Sequence, residues 1–433
     1  MNESPTLNET STTRRSPSLT SQALFGLGIV VHLIFLFSLR TGWLNGLFND
    51  SSHTIGQGCD FYSIYLGAMR GRYGDSVFVP GHHPASVPYG YAFRYAPMVA
   101  YAFIPATILP ARAAYVVWIV VCELILLRNV LLTVRQSTDR SRSLAAASMW
   151  LLFSPYYLEL YVGQFTFVTA SLMFWAYLGW EEKSRSADLF YGASILMKIF
   201  PVIYAPVAFL RDRNRATLVA LLLLTASSMA YFSVFHDDWY IFCNRNFGLA
   251  PWGTAGNLGL SGLLWAVWSG HSHVYLIARG AATCVVLIMA AIPFIDALKA
   301  DRSTPAFEAA ILRAYAACSS GYLLAYRDVW EHHYTLLLPP LVLMALRRHR
   351  PIVWLPSFLV AALPTLFSFV DIPGIGRLGD PQAHWSTATS LLYHAGKPIA
   401  ALWLLVGAAA STRKQSNGEP QIPDVKQNGE YHC

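Results

Sequence analysis

Charge is scarce in this chain. Only 13% of its 433 residues are Asp, Glu, Lys or Arg, against roughly 25% in soluble domains, too few to cover a globular surface in water. Paired thiols are missing too. There are 6 Cys and no Cys-x-x-Cys. Cys122, Cys284 and Cys318 fall in apolar runs and read as packing residues. Cys59 and Cys243 fall in loops placed outside, where a disulfide is allowed. The chain also has no P-loop, no GxGxxG after a strand, no HExxH and no GxSxG. Strict apolar–polar alternation is absent, which argues against a β-barrel. The net charge of +7 is no nucleic-acid signal, because the basic residues are scattered in short loops.

What the chain has instead is hydrocarbon. It is 55% hydrophobic with a mean hydropathy of +0.40, and apolar runs long enough to cross a bilayer recur along most of its length. Lipid leaves open backbone groups without partners, so the expected fold is all-α: a polytopic integral membrane helical bundle. The first span runs from about Gln22 to Leu39, without a small-residue cleavage site, and reads as an anchor. Further apolar runs lie near 95–109, 113–134, 144–160, 165–180, 188–210, 216–235, 274–297, 306–326, 333–346, 351–370 and 389–410, with a short helix near 257–268. That count predicts about 10 to 13 membrane helices. One transmembrane domain, 22–411, should lie between polar disordered cytoplasmic tails, 1–21 and 412–433, with a long outer loop at 41–93.

Basic clusters assign the sides. Arg128, Arg135, Arg140 and Arg142; Lys183 and Arg185; Arg211, Arg213 and Arg215; Lys299 and Arg302; Arg347, Arg348 and Arg350; and Arg413 and Lys414 should all be cytoplasmic. Two regions then break simple alternation. The 95–134 region has two apolar runs yet must connect outside to inside, and 188–210 must start and end inside. Both carry proline: Pro97, Pro105 and Pro110 in the first, Pro201 and Pro206 in the second. Each is expected to hold a broken or re-entrant segment, tolerated where it lines a cavity.

The remaining polar chemistry gathers outside. Asp60, in Gly58-Cys59-Asp60-Phe61-Tyr62, follows the first span and is placed to act as a base on a substrate arriving from the membrane surface; a helix cap or solvated carboxylate is the plainer alternative. Lys198, in Met197-Lys198-Ile199-Phe200-Pro201, lies inside an apolar run, too far from Arg211 to snorkel toward the cytoplasm. Its ammonium would need an anion, and a phosphate suits it. Arg94 is a second phosphate or sugar contact, or an interfacial anchor. Gln164, after Gly163, and Asn257, after Gly256, are sugar-hydroxyl contacts or turn caps. In Arg327-Asp328-Val329-Trp330-Glu331-His332-His333, either His332 or His333 could donate to a phosphate or hydroxyl. Adjacent His side chains diverge on a helix and no second set supports zinc, so no metal is assigned.

Taken in order, these segments resemble a known family. An outer-loop Asp with a short amphipathic helix, Asp60 to Gly71, is followed by Phe93 to Pro97, Gly163-Gln164, Lys198-Ile-Phe-Pro and His332-His333-Tyr334. The pattern, over roughly Gly26 to Ala410, is similar to the membrane glycosyltransferases of the GT-C superfold, most closely glycosyltransferase family eighty-seven, the polyprenyl-phosphate-mannose-dependent α-mannosyltransferases. The Met197–Pro201 segment is also similar to one in the eukaryotic mannosyltransferase of GPI-anchor synthesis. The resemblance implies inverting transfer of a hexose, mannose above all, from a polyprenyl-phosphate sugar to a glycolipid or glycan acceptor. Asp60 would be the general base, with Lys198, Arg94 and a His on the leaving phosphate. The lipid-phosphate sugar is a co-substrate, and no cofactor is implied. The chain departs from the pattern in lacking an Asp-x-Asp in the first loop, where Asp75 is distant from Asp60. By the same resemblance the setting is a bacterial inner membrane, multi-pass, with the site facing outside. The rival reading is a transporter or flippase whose broken helices bind a translocated anion.

Overall fold

Proline and glycine cut the apolar runs into helices of unequal length. A computed structural model describes residues 16–43, 56–79, 87, 88, 90, 92–247, 256–268, 271–365 and 386–410; among them there is helix and no strand. The expected tails, apart from residues 16–21, and much of the 41–93 loop lie outside the described residues.

In chain order, α1 (Leu19–Thr41) is followed by α2 (Cys59–Tyr73). Then α3 (Pro97–Ala102) and a 3₁₀ turn (Ile104–Ile108) lead into α4 (Ala111–Arg135). Next come α5 (Arg140–Leu151), α6 (Ser154–Val162) and α7 (Thr166–Glu181). The 188–210 region is α8 (Ser186–Met197), a 3₁₀ turn (Phe200–Tyr204) and α9 (Ala205–Leu210). α10 (Asn214–Val234), α11 (His236–Phe247), α12 (Leu260–Trp268), α13 (Ser272–Lys299) and α14 (Pro305–Ala325) follow. A 3₁₀ segment (Glu331–Leu337) opens α15 (Leu338–Leu346), and α16 (Pro351–Ala362) and α17 (Thr387–Ala410) end the described chain.

Local chemistry sets the boundaries. Ser18 caps α1 by accepting from the Ser21 N–H, and Gly42 closes it at φ 78°. Asp139 caps α5, and Thr304 with Pro305 opens α14. Among the described residues five helices are long and apolar enough to cross a membrane alone: α1, α4, α10, α13 and α17. Their outward faces remain apolar, as at Leu33 and Phe37 of α1. The expected ten to thirteen helices counted apolar runs; the structure divides several of those runs. The 144–160 run becomes parts of α5 and α6, broken at Leu152–Phe153, and 333–346 becomes a 3₁₀ segment plus α15. Cys59 and Cys243 are both free thiols.

The two regions that strained the topology are among those that break. α3 and its 3₁₀ turn precede the full span α4, with Pro97, Pro105 and Pro110 at the starts of the three segments. In 188–210 the chain goes up and back. Trp180 of α7 stacks edge-on against Tyr191 of α8 at 5.3 Å, and Lys198 reaches Thr166 at the start of α7, so α7 and α8 run antiparallel. Phe200 then stacks on Tyr322, Tyr204 packs on Tyr315, and Arg211 pairs with Glu308, so the return leg runs antiparallel to α14. Twelve residues of α8 rise only about 18 Å, short of a bilayer core of about 30 Å.

A half-buried polar cluster and a buried one fasten these pieces. His32 of α1 meets Glu123 of α4 at 2.8 Å, and Tyr156 of α6 donates to the same carboxylate at 2.7 Å. Glu331 pairs with Lys397 of α17 at 3.1 Å and accepts from Ser154 and the Thr365 N–H. That engagement leaves Glu331 occupied as a structural partner, not a ligand beside the histidines.

Candidate active site

Residues from six separate stretches, 59–63, 92–96, 158–164, 196–200, 242–247 and 322–333, meet around one cavity of about 470 Å³. Asp60 sits in the first turn of α2, where the helix dipole favours negative charge. Two glycines set that turn. Gly58 caps α2 at φ 79° and donates to the Tyr161 carbonyl at 2.7 Å, while Gly163 ends α6 at φ 75°. A Cβ on Gly163 would come within 2.5 Å of Phe61 Cβ, so only glycine lets α2 dock this closely on α6.

Gln164 follows directly. Its amide donates to the Asp60 carboxylate. Its carbonyl oxygen accepts from Tyr95 Oη at 2.7 Å and from the Phe165 N–H at 3.1 Å. Burial pushes Asp60 above the ordinary carboxylate pKa. The Gln164 hydrogen bond and the positive charges of Lys198 and Arg94 oppose that shift, and Asp328 adds to it.

Lys198 sits at the break between α8 and the 3₁₀ turn, with extended backbone at φ −143° and ψ 134°. Its ammonium donates to Thr166 Oγ1 at 2.8 Å and feels the carboxylates of Glu159 and Asp60. Arg94 reaches Asp328 at 3.7 Å and is half exposed at the mouth. Burial also raises the pKa of Asp328, with Arg94 pulling the other way. The rings of His332 and His333 lie 4.2 Å apart. His333 Nδ1 accepts from the Trp330 N–H at 2.9 Å, whereas buried His332 Nε2 has no hydrogen-bond partner among the described residues. Phe200, Tyr322 and Tyr326 stack in a row, with centroids 4.9 and 5.0 Å apart, and the row ends edge-on at His333, 6.1 Å from Tyr326.

Six of the seven candidates therefore line one cavity: Asp60, Arg94, Gln164, Lys198, His332 and His333. Asn257 does not. It is fully buried, donates to the Arg327 carbonyl at 2.7 Å and accepts from the Gly259 and Val329 N–H groups at 3.2 Å. Its amide fastens the segment before α12 to the 327–329 strap, the capping role that the sequence also allowed.

Three residues were not read as site candidates. Glu159, fully buried, accepts from the Phe167 N–H at 2.6 Å and stands near Lys198 as its negative neighbour. A lone carboxylate inside an apolar run was the available signal. Asp328 and Tyr326 line the cavity beside Arg94 and His333. Nothing in their spacing distinguished them from interfacial residues. Among the described residues no group of three or more His, Cys, Asp or Glu is arranged to hold a metal ion.

This arrangement puts two carboxylates, Asp60 and the Arg94-paired Asp328, two cations and an imidazole nitrogen unpartnered among the described residues around one space with an aromatic wall. It can accept a proton on one side and stabilise a departing anion on the other. The family model described as Glycosyltransferase family 87 matches residues 93–325 of the 433, more than half of the chain. The match contains Arg94, Gln164 and Lys198, while Asp60, His332 and His333 lie beyond its ends. No curated protein matches the chain.

Proposed function

The chain belongs to glycosyltransferase family 87, and from that premise we propose that it transfers a hexose, mannose in the first instance, from a polyprenyl-phosphate sugar to a glycolipid or glycan acceptor. The family makes it a membrane glycosyltransferase; the donor, sugar, acceptor and residue roles are our reading. The observation that carries the reading is the convergence of Asp60, Lys198, Arg94 and His332 on one cavity.

The acceptor hydroxyl oxygen forms a bond to the anomeric carbon as the bond from that carbon to the phosphate oxygen breaks. The hydroxyl proton passes to the Asp60 carboxylate, and the bonding electrons leave with the lipid phosphate. Attack opposite the leaving group inverts the anomeric configuration. Lys198, Arg94 and the free His332 nitrogen meet the developing phosphate charge. Gln164 holds Asp60, and its own orientation is fixed by Tyr95. The Phe200–Tyr322–Tyr326 wall offers ring faces to the sugar. No cofactor is required, and these side chains supply the charge compensation that a cation would otherwise give.

The reaction is set on the outer face of the cell membrane, away from the basic loops. The broken helix at Lys198 would also suit an anion transporter, but the family and the carboxylate poised in the cavity favour chemistry over translocation. The deciding experiment incubates the purified protein with radiolabelled polyprenyl-phosphate mannose and lipid acceptors. Labelled glycolipid that disappears in Asp60→Asn supports the proposal. Label delivered only across a sealed vesicle membrane, without a new glycoside, would establish transport.

A further inference from the structure

At the opposite end of the bundle lies a second cavity, about 320 Å³ in volume, which the reaction does not use. Three turns converge on it. The α7–α8 turn supplies Lys183, the α9–α10 turn supplies Arg211, Asp212 and Arg213, and the α13–α14 turn supplies Arg302. Four cations thus face one lining carboxylate. The guanidiniums are held in place from behind. Glu308 chelates Arg211 at 2.7 and 2.5 Å, Asp188 holds Arg213 at 3.3 Å, and Asp212 holds Arg302. Two groups remain unspent. Lys183 makes no ion pair among the described residues, and the buried Nε of Arg211 has no hydrogen-bond partner. Lys183 and Asp212 both adopt left-handed backbone, φ 57° and 58°, a conformation uncommon outside glycine.

Anchoring of helix ends explains basic residues at a membrane surface. It does not require cations from three turns to enclose one hollow. The depth of that hollow is informative. α10 begins at Asn214, next to Arg213, and α13 ends at Lys299, three positions before Arg302. Both are full spans, so the cavity sits where lipid headgroups meet the helix ends. Exposed apolar side chains continue from it along the same two spans: Leu218 on α10, and Ile295 and Leu298 on α13.

The geometry points to a binding site for a phosphate-bearing anion, with an anionic phospholipid headgroup of the adjacent leaflet as its source. The phosphate is held by Lys183, Arg213 and Arg302, it displaces Asp212 from Arg302, and its acyl chains lie along α10 and α13. Guanidinium forks and an ammonium on a phosphate are the strong, charge-assisted kind of hydrogen bond, and basic pockets between membrane helices recognise such headgroups.

The test uses the full chain in phosphatidylcholine nanodiscs containing a minor fraction of phosphatidic acid, with bound lipid counted by native mass spectrometry. Lys183→Gln with Arg302→Gln should lower retained phosphatidic acid on the order of tenfold. Both side chains are solvent-accessible, so the fold survives. Arg185→Gln with Arg215→Gln removes equal charge from the α7–α8 turn and the start of α10, but neither residue lines the cavity, and lipid retention should be unchanged. A parallel arm measures the thermal shift given by inorganic phosphate in neutral detergent. A shift that is lost only in the cavity variant, without selective lipid retention, would keep the phosphate site and overturn its lipid source. Equal loss of lipid in both variants, with no phosphate-dependent shift, would overturn the site altogether.

Discussion

Replacing Lys198 by Met separates two roles that the structure joins. The ammonium bonds Thr166 at 2.8 Å and stands near both Glu159 and Asp60. If it meets the leaving phosphate in a shielded cavity, its loss should raise the barrier by about 2–4 kcal/mol, or roughly 10² to 10³ in rate. From sequence alone, removing a charge from an apolar run would be expected to be neutral or stabilising. The structure changes that expectation, because the change strands the fully buried Glu159 carboxylate. Among the described residues Glu159 makes no salt bridge and its second carboxylate oxygen has no hydrogen-bond partner, so the cost should stay below the roughly 3–5 kcal/mol of a broken buried pair; about 1–2 kcal/mol suits a separated pair at moderate effective dielectric. Adding Glu159→Gln removes the stranded charge and keeps a carbonyl for the Phe167 N–H. Initial rates at varied donor concentration, read beside thermal unfolding, distinguish the two terms. The double variant should regain the lost melting temperature and remain about 10² or more below wild type in rate. Recovery of near wild-type turnover in the double variant would show that Lys198 only balanced Glu159, and the phosphate assignment would be abandoned.

Asp60→Asn should abolish transfer while insertion and folding persist, since Asn keeps the shape but cannot take the proton; normal turnover in the inserted variant would remove Asp60 from the base role. The rate should also fall on the acid side at a pH above the ordinary carboxylate range, because burial raises the Asp60 pKa and only the ionised form accepts a proton. That raised value means the folded protein loses stability as pH rises from the unfolded pKa through the folded one, so Asp60→Asn should melt at least as high as wild type at neutral pH and show no advantage well below pH 4. His332→Ala should weaken donor use by about tenfold or more, as its Nε2 is otherwise unpartnered; an unchanged donor dependence would make it a packing residue. An impermeant thiol reagent should reach a Cys at exposed Tyr73 from outside and one at exposed Glu182 only from the cytoplasm, and outside labelling at 182 would invert the bundle.

Much of the cavity was legible because its residues break local rules. Asp60, Lys198 and Gln164 stand beside Gly58, Pro201 and Gly163, so a polar group and a helix breaker occur together in apolar sequence. Glu159 is a lone carboxylate in an apolar run with no breaker directly beside it; the packing of α6 on α7 turns it inward, near Lys198. Asn257 carries the opposite lesson. It too follows a glycine, yet three of its hydrogen bonds go to backbone, and sequence cannot say whether a capping amide has capacity left for a ligand. The helix count was least legible, since composition measures apolar length and cannot reveal whether a run crosses the bilayer or turns back within it.

The location of the breaks gives the architecture its logic. In lipid an interrupted helix leaves N–H and C=O groups that only protein or a wet cavity can satisfy. Here the start of α2, the end of α6, the Lys198 break and the 3₁₀ segment at Glu331–Leu337 all open onto the same cavity. One solvated space therefore serves several interruptions at once. Each interruption also points a side chain from a helix end, where dipoles and charges add, toward the same point. Each break should then govern the site residues it carries, and leave those on the other breaks in place. The glycine at 163 tests this, because Ala there would push Phe61, and with it the first turn of α2, away from Gln164. Gly163→Ala should lower the rate through Asp60 while leaving the affinity for donor phosphate at Lys198 nearly unchanged. Equal losses in both would mean that the two halves of the cavity are not held by separate breaks.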